Sequence, residues 1–167
     1  KPMNLDLQVA CENAHIPSLA QFEQWAQLAV KSHANATEVT IRVVEPAESQ
    51  ALNLQYRGKD KPTNVLSFPF EEPEFEDPEI AAAMAQELGH GDYLGDLVIN
   101  ADLVAEEAAQ QGKTTQHHWA HLVIHGTLHL QGYDHIDDDE AKLMENLEIQ
   151  LLAQLNIANP YIAKTHD

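Results

Sequence analysis

With 167 residues, 44% of them hydrophobic and 22% charged, the chain can bury a core of its own, and one domain spanning residues 1–167 is expected. No apolar run approaches the ~18–20 residues of a membrane span, no apolar signal segment opens the chain, and the lone Cys11 excludes an internal disulfide, which together point to a soluble cytoplasmic protein. A net charge of −18 argues against a general nucleic-acid coat protein, because phosphate binding needs basic surface.

Leu5, Leu7 and Val9 alternate with polar residues, as in a half-buried strand. Ser18 followed by Gln21 is a capping-box pattern opening an amphipathic helix through about Ser32. Val39, Ile41 and Val43 mark a second strand. Pro46 suits the first turn of a helix running to about Tyr56, with Gly58 as its stop. Just beyond lies a basic cluster, Arg57, Lys59 and Lys61, so the acidic body carries one basic edge able to address a phosphate locally. Asn64 to Phe70 reads as a third strand, interrupted at Pro69.

Residues 71–92 hold Glu71, Glu72, Glu74, Glu76, Asp77 and Glu79 with two prolines, then an alanine-rich patch; the pattern predicts a mobile, solvent-exposed acidic insertion with a short helix. Leu94 to Ile99 is a fourth strand. Asn100 caps a helix ending at Gly112. A long helix spans roughly Thr115 to Leu130 and stops at Gly132, and Asp138 or Asp139 opens a last helix to about Leu155. These elements predict an α+β fold in a single domain: one mixed sheet of about four strands packed with helices, and a metal site at the end of a central helix.

The metal site is read from His125 to His135. Residues four apart share a helix face, so His125 and His129 can aim at one ion at Zn–N distances of about 2.0–2.1 Å. His121 cannot join that pair, because it stands about 12 Å along the axis from His129. Gly132 can turn the chain through a left-handed C-cap and bring His135 back over the helix end. The resulting H-x-x-x-H-x-x-G-x-x-H pattern gives three histidines and one open position, a catalytic arrangement that suits Zn2+, with Ni2+ as a substitute. His117, His118 and His121 are assigned to solvent-facing, core or supporting places. The metzincin proteases share this spacing but carry a glutamate after the first histidine as general base. Here that position is Gly126, which opposes a peptidase.

The signature H-G-x-L-H-L-x-G-Y-D-H, complete from His125 to His135, resembles the YbeY family of bacterial endoribonucleases. Two further blocks do as well: Tyr56 to Phe68, reading Y-R-G-K-D-K-P-T-N-V-L-S-F, and Leu94 to Ile99, reading L-G-D-L-V-I. The resemblance runs from the Leu5 strand to Pro160-Tyr161. It implies a metal-dependent, single-strand-specific endoribonuclease acting in rRNA maturation, notably at the small-subunit rRNA 3′ end, and in ribosome quality control. It implies single-stranded RNA as substrate, with the small ribosomal subunit, a small-subunit ribosomal protein and a ribosome-assembly GTPase as partners. The family's metal ligands fall on His125, His129 and His135, and its functional arginine on Arg57, so Arg57 and His125 are the candidate catalytic residues. Tyr133 can stack on a base or simply pack, and Asp134 can orient a ligand histidine or cap a turn. The rival readings are a zinc metalloprotease-like hydrolase and a non-catalytic metal-binding assembly factor.

Overall fold

The computed structural model describes residues 3–13, 15–30, 38–71, 75–88, 93–134 and 136–161. The alternating segments form strands β1 (Asn4–Ala10), β2 (Glu38–Val44), β3 (Val65–Pro69) and β4 (Tyr93–Asn100) of one sheet, in the order β1-β2-β4-β3. β1, β2 and β4 run parallel, with Leu5 beside Val39 and Ile41 beside Leu97, and β3 closes the edge antiparallel to β4. The sheet is therefore mixed, as expected. Pro69 does not interrupt the third strand; it ends it, paired with Gly95 on an outer edge where a missing N–H is tolerated. Gly95 sits where the β2–β4 register shifts, at φ 138°, and a Cβ there would lie 2.8 Å from Phe70 N. Only glycine fits this crossing of β3 and β4.

Six helices accompany the sheet among the described residues: α1 (Leu19–Ala29), α2 (Pro46–Arg57), α3 (Pro78–Leu88), α4 (Ala101–Gln111), α5 (Thr115–Leu130) and α6 (Asp138–Ala153). Their starts follow from caps. Ser18 and Gln21 make the reciprocal capping box, Asn100 accepts from Leu103 N, and Thr114 accepts from His117 N. α6 opens at Asp138, as expected, with Asp137 before it as the cap. α1 ends at Ala29 rather than near Ser32, and residues 31–37 lie outside the described part. In the acidic segment the short helix is α3, eleven residues long, and its described side chains are exposed or half-buried. Residues 72–74 and 89–92 fall outside the described part, and with them the expectation of a mobile insertion there.

One face of the sheet carries the main core. Leu5, Val39, Ile41, Val43, Leu97 and Ile99 meet α1 and α5, where Phe22 packs edge-on to both Trp25 and Trp119. The other face is partly covered by α2, whose Leu52 joins Val44, Leu66 and Val98. α5 is the centre of the molecule, packed by the sheet, α1, α4 and α6. A helix enclosed this way is apolar nearly all round, and ten of its sixteen residues are buried. No helix among the described residues is long and apolar enough to cross a membrane.

Candidate functional site

Beyond its first turn, α5 has one stripe that is not buried: positions 117, 121, 125 and 129, all histidine. A spacing of four keeps them on one side of the helix, and neighbouring rings touch. His121 and His125 have centroids 6.1 Å apart, His125 and His129 4.6 Å. Since the rest of the helix is committed to the core, this stripe is where the central element meets solvent and ligands.

At the C-terminal end of the stripe, the Nε2 atoms of His125 and His129 stand 3.1 Å apart. Two nitrogens bound tetrahedrally to one ion at about 2.0–2.1 Å would be separated by about 3.3 Å, so the pair fits a shared transition metal without rearrangement. Both line a cleft of about 510 Å³ together with Arg57, Asn64, Val65, Ser67, Pro69, Gly132, Tyr133 and Asp134. Gly132 has φ 100°, the left-handed turn that the sequence asked of it. His135, the expected third ligand, lies outside the described residues. Tyr133 is half-buried against the core, which favours packing over base stacking.

Behind His125 lies a group that sequence reading missed. Glu148 of α6 has a side chain with 0% exposure. Its Oε1 accepts from His125 Nδ1 at 2.7 Å and from His121 Nε2 at 3.1 Å, and its Oε2 accepts from the Tyr161 hydroxyl at 2.7 Å. Burial alone would raise this carboxyl, but hydrogen bonds from His121 and His125 outweigh it and hold the pKa down to about 2. Burial lowers His121 below the usual imidazole value despite Glu148, so its ring is neutral at pH 7. The same Glu148 pushes the Tyr161 hydroxyl, already raised by burial, still higher. One donor atom each of His121, His125 and Glu148 lies within 4.8 Å of the others, so these three also form a potential metal-binding triad. His121 is thus in contact with the site, through Glu148 and the His125 ring. A faint signal for Glu148 existed: it sits between Met144 and Leu152 at four-residue steps, a carboxylate on an otherwise buried apolar stripe.

A second carboxylate, Glu107 of α4, accepts from His118 Nε2 at 2.8 Å and from the Asn64 amide at 3.1 Å. Burial opposes its ionisation, but His118 and Asn64 more than compensate and lower its pKa. His118, 3% exposed, is therefore a core histidine held through Nε2, its buried Nδ1 having no hydrogen-bond partner among the described residues, and Asn64 is fixed at the rim of the cleft.

Arg57 reaches the cleft because the end of α2 is firmly tied. Gly58 takes a left-handed φ of 69° and its N–H bonds back to Leu54 O. Buried Ser49 and Asn53 then hold the following loop: Ser49 Oγ donates to Thr63 O at 2.8 Å, and Asn53 donates to Lys61 O at 2.9 Å. The block that contains Arg57 is thus half scaffold. Lys59 and Lys61 are exposed on its outside.

Gly126 has a structural reason. It faces the sheet, where a Cβ would meet Leu97 Cδ2 at 2.7 Å. A side chain there would have to displace Leu97, so packing against β4 opposes a glutamate general base at that position.

A mixed four-stranded α+β domain, with paired histidines closing a buried helix, defines a fold carrying a potential metal centre in a cleft that Arg57 also lines. The model of the family described as Endoribonuclease YbeY matches residues 8–156, and the chain belongs to that family. Membership supports an endoribonuclease role in rRNA processing, with RNA as the molecule acted upon. The solution structure of TM1509 from Thermotoga maritima is similar, with 26% identity over 89% of this chain and 88% of that one, at a TM-score of 0.57.

Proposed function

We propose that this chain is a metal-dependent, single-strand-specific endoribonuclease that matures the 3′ end of small-subunit rRNA and takes part in ribosome quality control in the cytoplasm. His125, His129 and His135 would hold one zinc ion, for which nickel can substitute. The observation that carries this reading is the shared cleft: Arg57 and the facing Nε2 atoms of His125 and His129, 3.1 Å apart, line one cavity.

Zinc bound there would supply a Lewis acid for a phosphoryl oxygen or an acidified water. The chain's own residues do the rest. Cleavage builds negative charge on the nonbridging oxygens, and the Arg57 guanidinium offers a planar pair of donors matched to two of them. The tied loop after α2 fixes the backbone from which the Arg57 side chain extends to the cleft. Asn64 and Ser67 also line the cleft, Asn64 held there by Glu107. The net charge of −18 keeps non-specific RNA away, so productive binding depends on the local basic edge and on partners. A small-subunit ribosomal protein and a ribosome-assembly GTPase are proposed as those partners.

The test is direct. Purified zinc-loaded protein is incubated with single-stranded and duplex RNA, with and without chelator, and the new ends are mapped. Cleavage of single strands that chelator abolishes supports the proposal. Tight rRNA binding without any cleavage would replace the enzyme with an assembly factor.

A further inference from the structure

We infer that Glu148 is a positioning residue for His125, locking its ring so that Nε2 faces the cleft, and that Tyr161 of the C-terminal segment completes the lock. The inference rests on zinc being held by His125, as proposed above.

The two nitrogens of His125 have different partners. Nδ1 lies 2.7 Å from Glu148 Oε1, while Nε2 faces His129. A neutral imidazole has one N–H. With an ionised carboxylate on Nδ1, the proton belongs there, and the lone pair is left on Nε2. That is the tautomer a metal ligand needs at this position. The carboxylate also makes the ring more basic and prevents it from rotating.

The alternative is that Glu148, His125 and His121, through one donor atom each, surround an ion of their own. Chemistry disfavours it. The carboxylate side chain is fully enclosed, away from solvent. With zinc on Nε2 as proposed above, an ion there would leave the His125 ring metallated on both sides. A hydrogen-bonded carboxylate behind a metal-binding histidine avoids this.

Tyr161 gives the arrangement its reach. Its hydroxyl donates to Glu148 Oε2 at 2.7 Å, and its ring packs edge-on to His121, with centroids 5.5 Å apart. Asn159 Oδ1 accepts from Tyr161 N at 2.8 Å, which fixes the turn that delivers the ring. So a residue 36 positions after His125 satisfies the second oxygen of the carboxylate that orients it. The C-terminal turn is by this account part of the metal site.

The test measures zinc affinity by chelator competition in three full-length proteins: the parent, Glu148→Gln and Tyr161→Phe. Circular dichroism and a thermal melt establish folding in each. Glu148→Gln keeps the shape and loses the charge, and it is expected to weaken zinc binding about 10- to 100-fold. Tyr161→Phe is expected to weaken it by a smaller factor, about 2- to 10-fold, because the carboxylate stays but is less constrained. The second readout is the ring tautomer of His125, from long-range proton–nitrogen correlation spectra of the metal-free protein. The parent should show the Nδ1–H form, with a shift toward the other tautomer in Glu148→Gln. Unchanged affinity in a folded Glu148→Gln protein, or an unchanged tautomer, overturns the inference. Should Glu148→Gln not fold, unchanged zinc affinity and tautomer in Tyr161→Phe overturn it. Two ions in the parent and one in Glu148→Gln would make Glu148 a ligand, which also overturns it. Failure of the parent to bind zinc sinks the proposed metal site instead, and the tautomer spectra then decide the role of Glu148 alone.

Discussion

Gly126 and Leu97 press together where α5 crosses the sheet: a Cβ on the glycine would stand 2.7 Å from one methyl of the leucine and 3.2 Å from the other. Leu97 is fully buried on β4, so its methyls can yield only by displacing their core neighbours. In an open helix Gly→Ala would stabilise by about 1 kcal/mol, but overpacking a core costs about 1–3 kcal/mol. Gly126→Ala is therefore expected to lower stability by about 1 kcal/mol in urea unfolding of the metal-free protein. Gly126→Glu adds an unpaired buried carboxylate and should not fold cooperatively. A more stable Gly126→Ala protein would show that α5 can lift from β4, and the argument against a glutamate base would fall.

The histidine stripe offers a sharp separation of roles. Elemental analysis of freshly prepared protein should give about one transition-metal ion per chain, zinc when nickel columns are avoided. His129→Ala and His135→Ala should lose the ion. His121→Ala should keep it within about tenfold, since His121 touches Glu148 and not the facing nitrogens of His125 and His129. Loss of the ion in His121→Ala with retention in His135→Ala would move the site to the triad of His121, His125 and Glu148.

Acid should unfold the metal-free protein from its histidine–carboxylate pairs. His121 is buried and its pKa is lowered from 6.5, so the unfolded chain takes up that proton first and stability starts to fall as the pH drops below about 6.5. Glu148 is ionised when folded down to about 2, against an ordinary value of 4.5. Its contribution is present above 4.5 and lost as the pH falls from there toward 2. Glu107, also lowered, adds in the same direction. Melting temperatures measured with chelator from pH 7 to pH 3 should fall steadily and steepen below 4.5, and the steepening should be weaker in Glu148→Gln. A flat profile would mean that these pairs are not formed in the absence of metal.

The acidic segment should be dispensable for the metal site. Among its described residues, Asp77 to Ile80 are exposed, and α3 makes few contacts with the rest of the fold. Shortening residues 71–79 should leave zinc content unchanged and raise non-specific RNA binding at low salt, where repulsion between like charges is least screened. Loss of zinc on shortening would show that the segment supports the cleft.

The strands and helix caps were legible because each rests on short-range chemistry: alternation in Val39–Ile41–Val43, the Ser18–Gln21 box, and the glycines at 58, 112 and 132. The pair His125 and His129 was legible for the same reason, since a spacing of four fixes a shared face. Glu148, Tyr161 and Glu107 were not. They reach the histidines from 23, 40 and 11 residues away, counting from His125, His121 and His118 respectively. Nothing local distinguishes Glu148 from the other acidic residues of α6 except its place on the buried stripe. Gly126 was read as a missing base, and packing against Leu97 supplies the reason for it. Sheet order and the edge position of Pro69 depend on long-range pairing, so Pro69 looked like a break when it is the end of a strand.

Arg57 is where chemistry and folding separate most cleanly. It ends α2 as the basic residue of the last turn, so it also interacts favourably with the helix carbonyl end. Such an interaction is worth about 0.3–1 kcal/mol at an exposed site, too little to unfold the protein when lost. Its scaffold is held by Ser49 and Asn53, not by the guanidinium. Arg57→Glu should therefore keep the fold and the zinc, yet reduce cleavage of single-stranded RNA at least 100-fold, because a carboxylate repels the phosphate the fork would hold. Arg57→Lys should recover only part of the rate, since a point charge lacks the second donor. Lys59 and Lys61, exposed beside it, should matter less and only at low salt, as steering charges do. The comparison between Arg57→Glu and Lys59→Glu at two ionic strengths is the decisive one. If both fall equally and recover together as salt is changed, Arg57 is one more surface charge and the phosphate is held elsewhere. If only Arg57→Glu stays inactive at every salt concentration while zinc content is full, the guanidinium acts at the scissile phosphate itself.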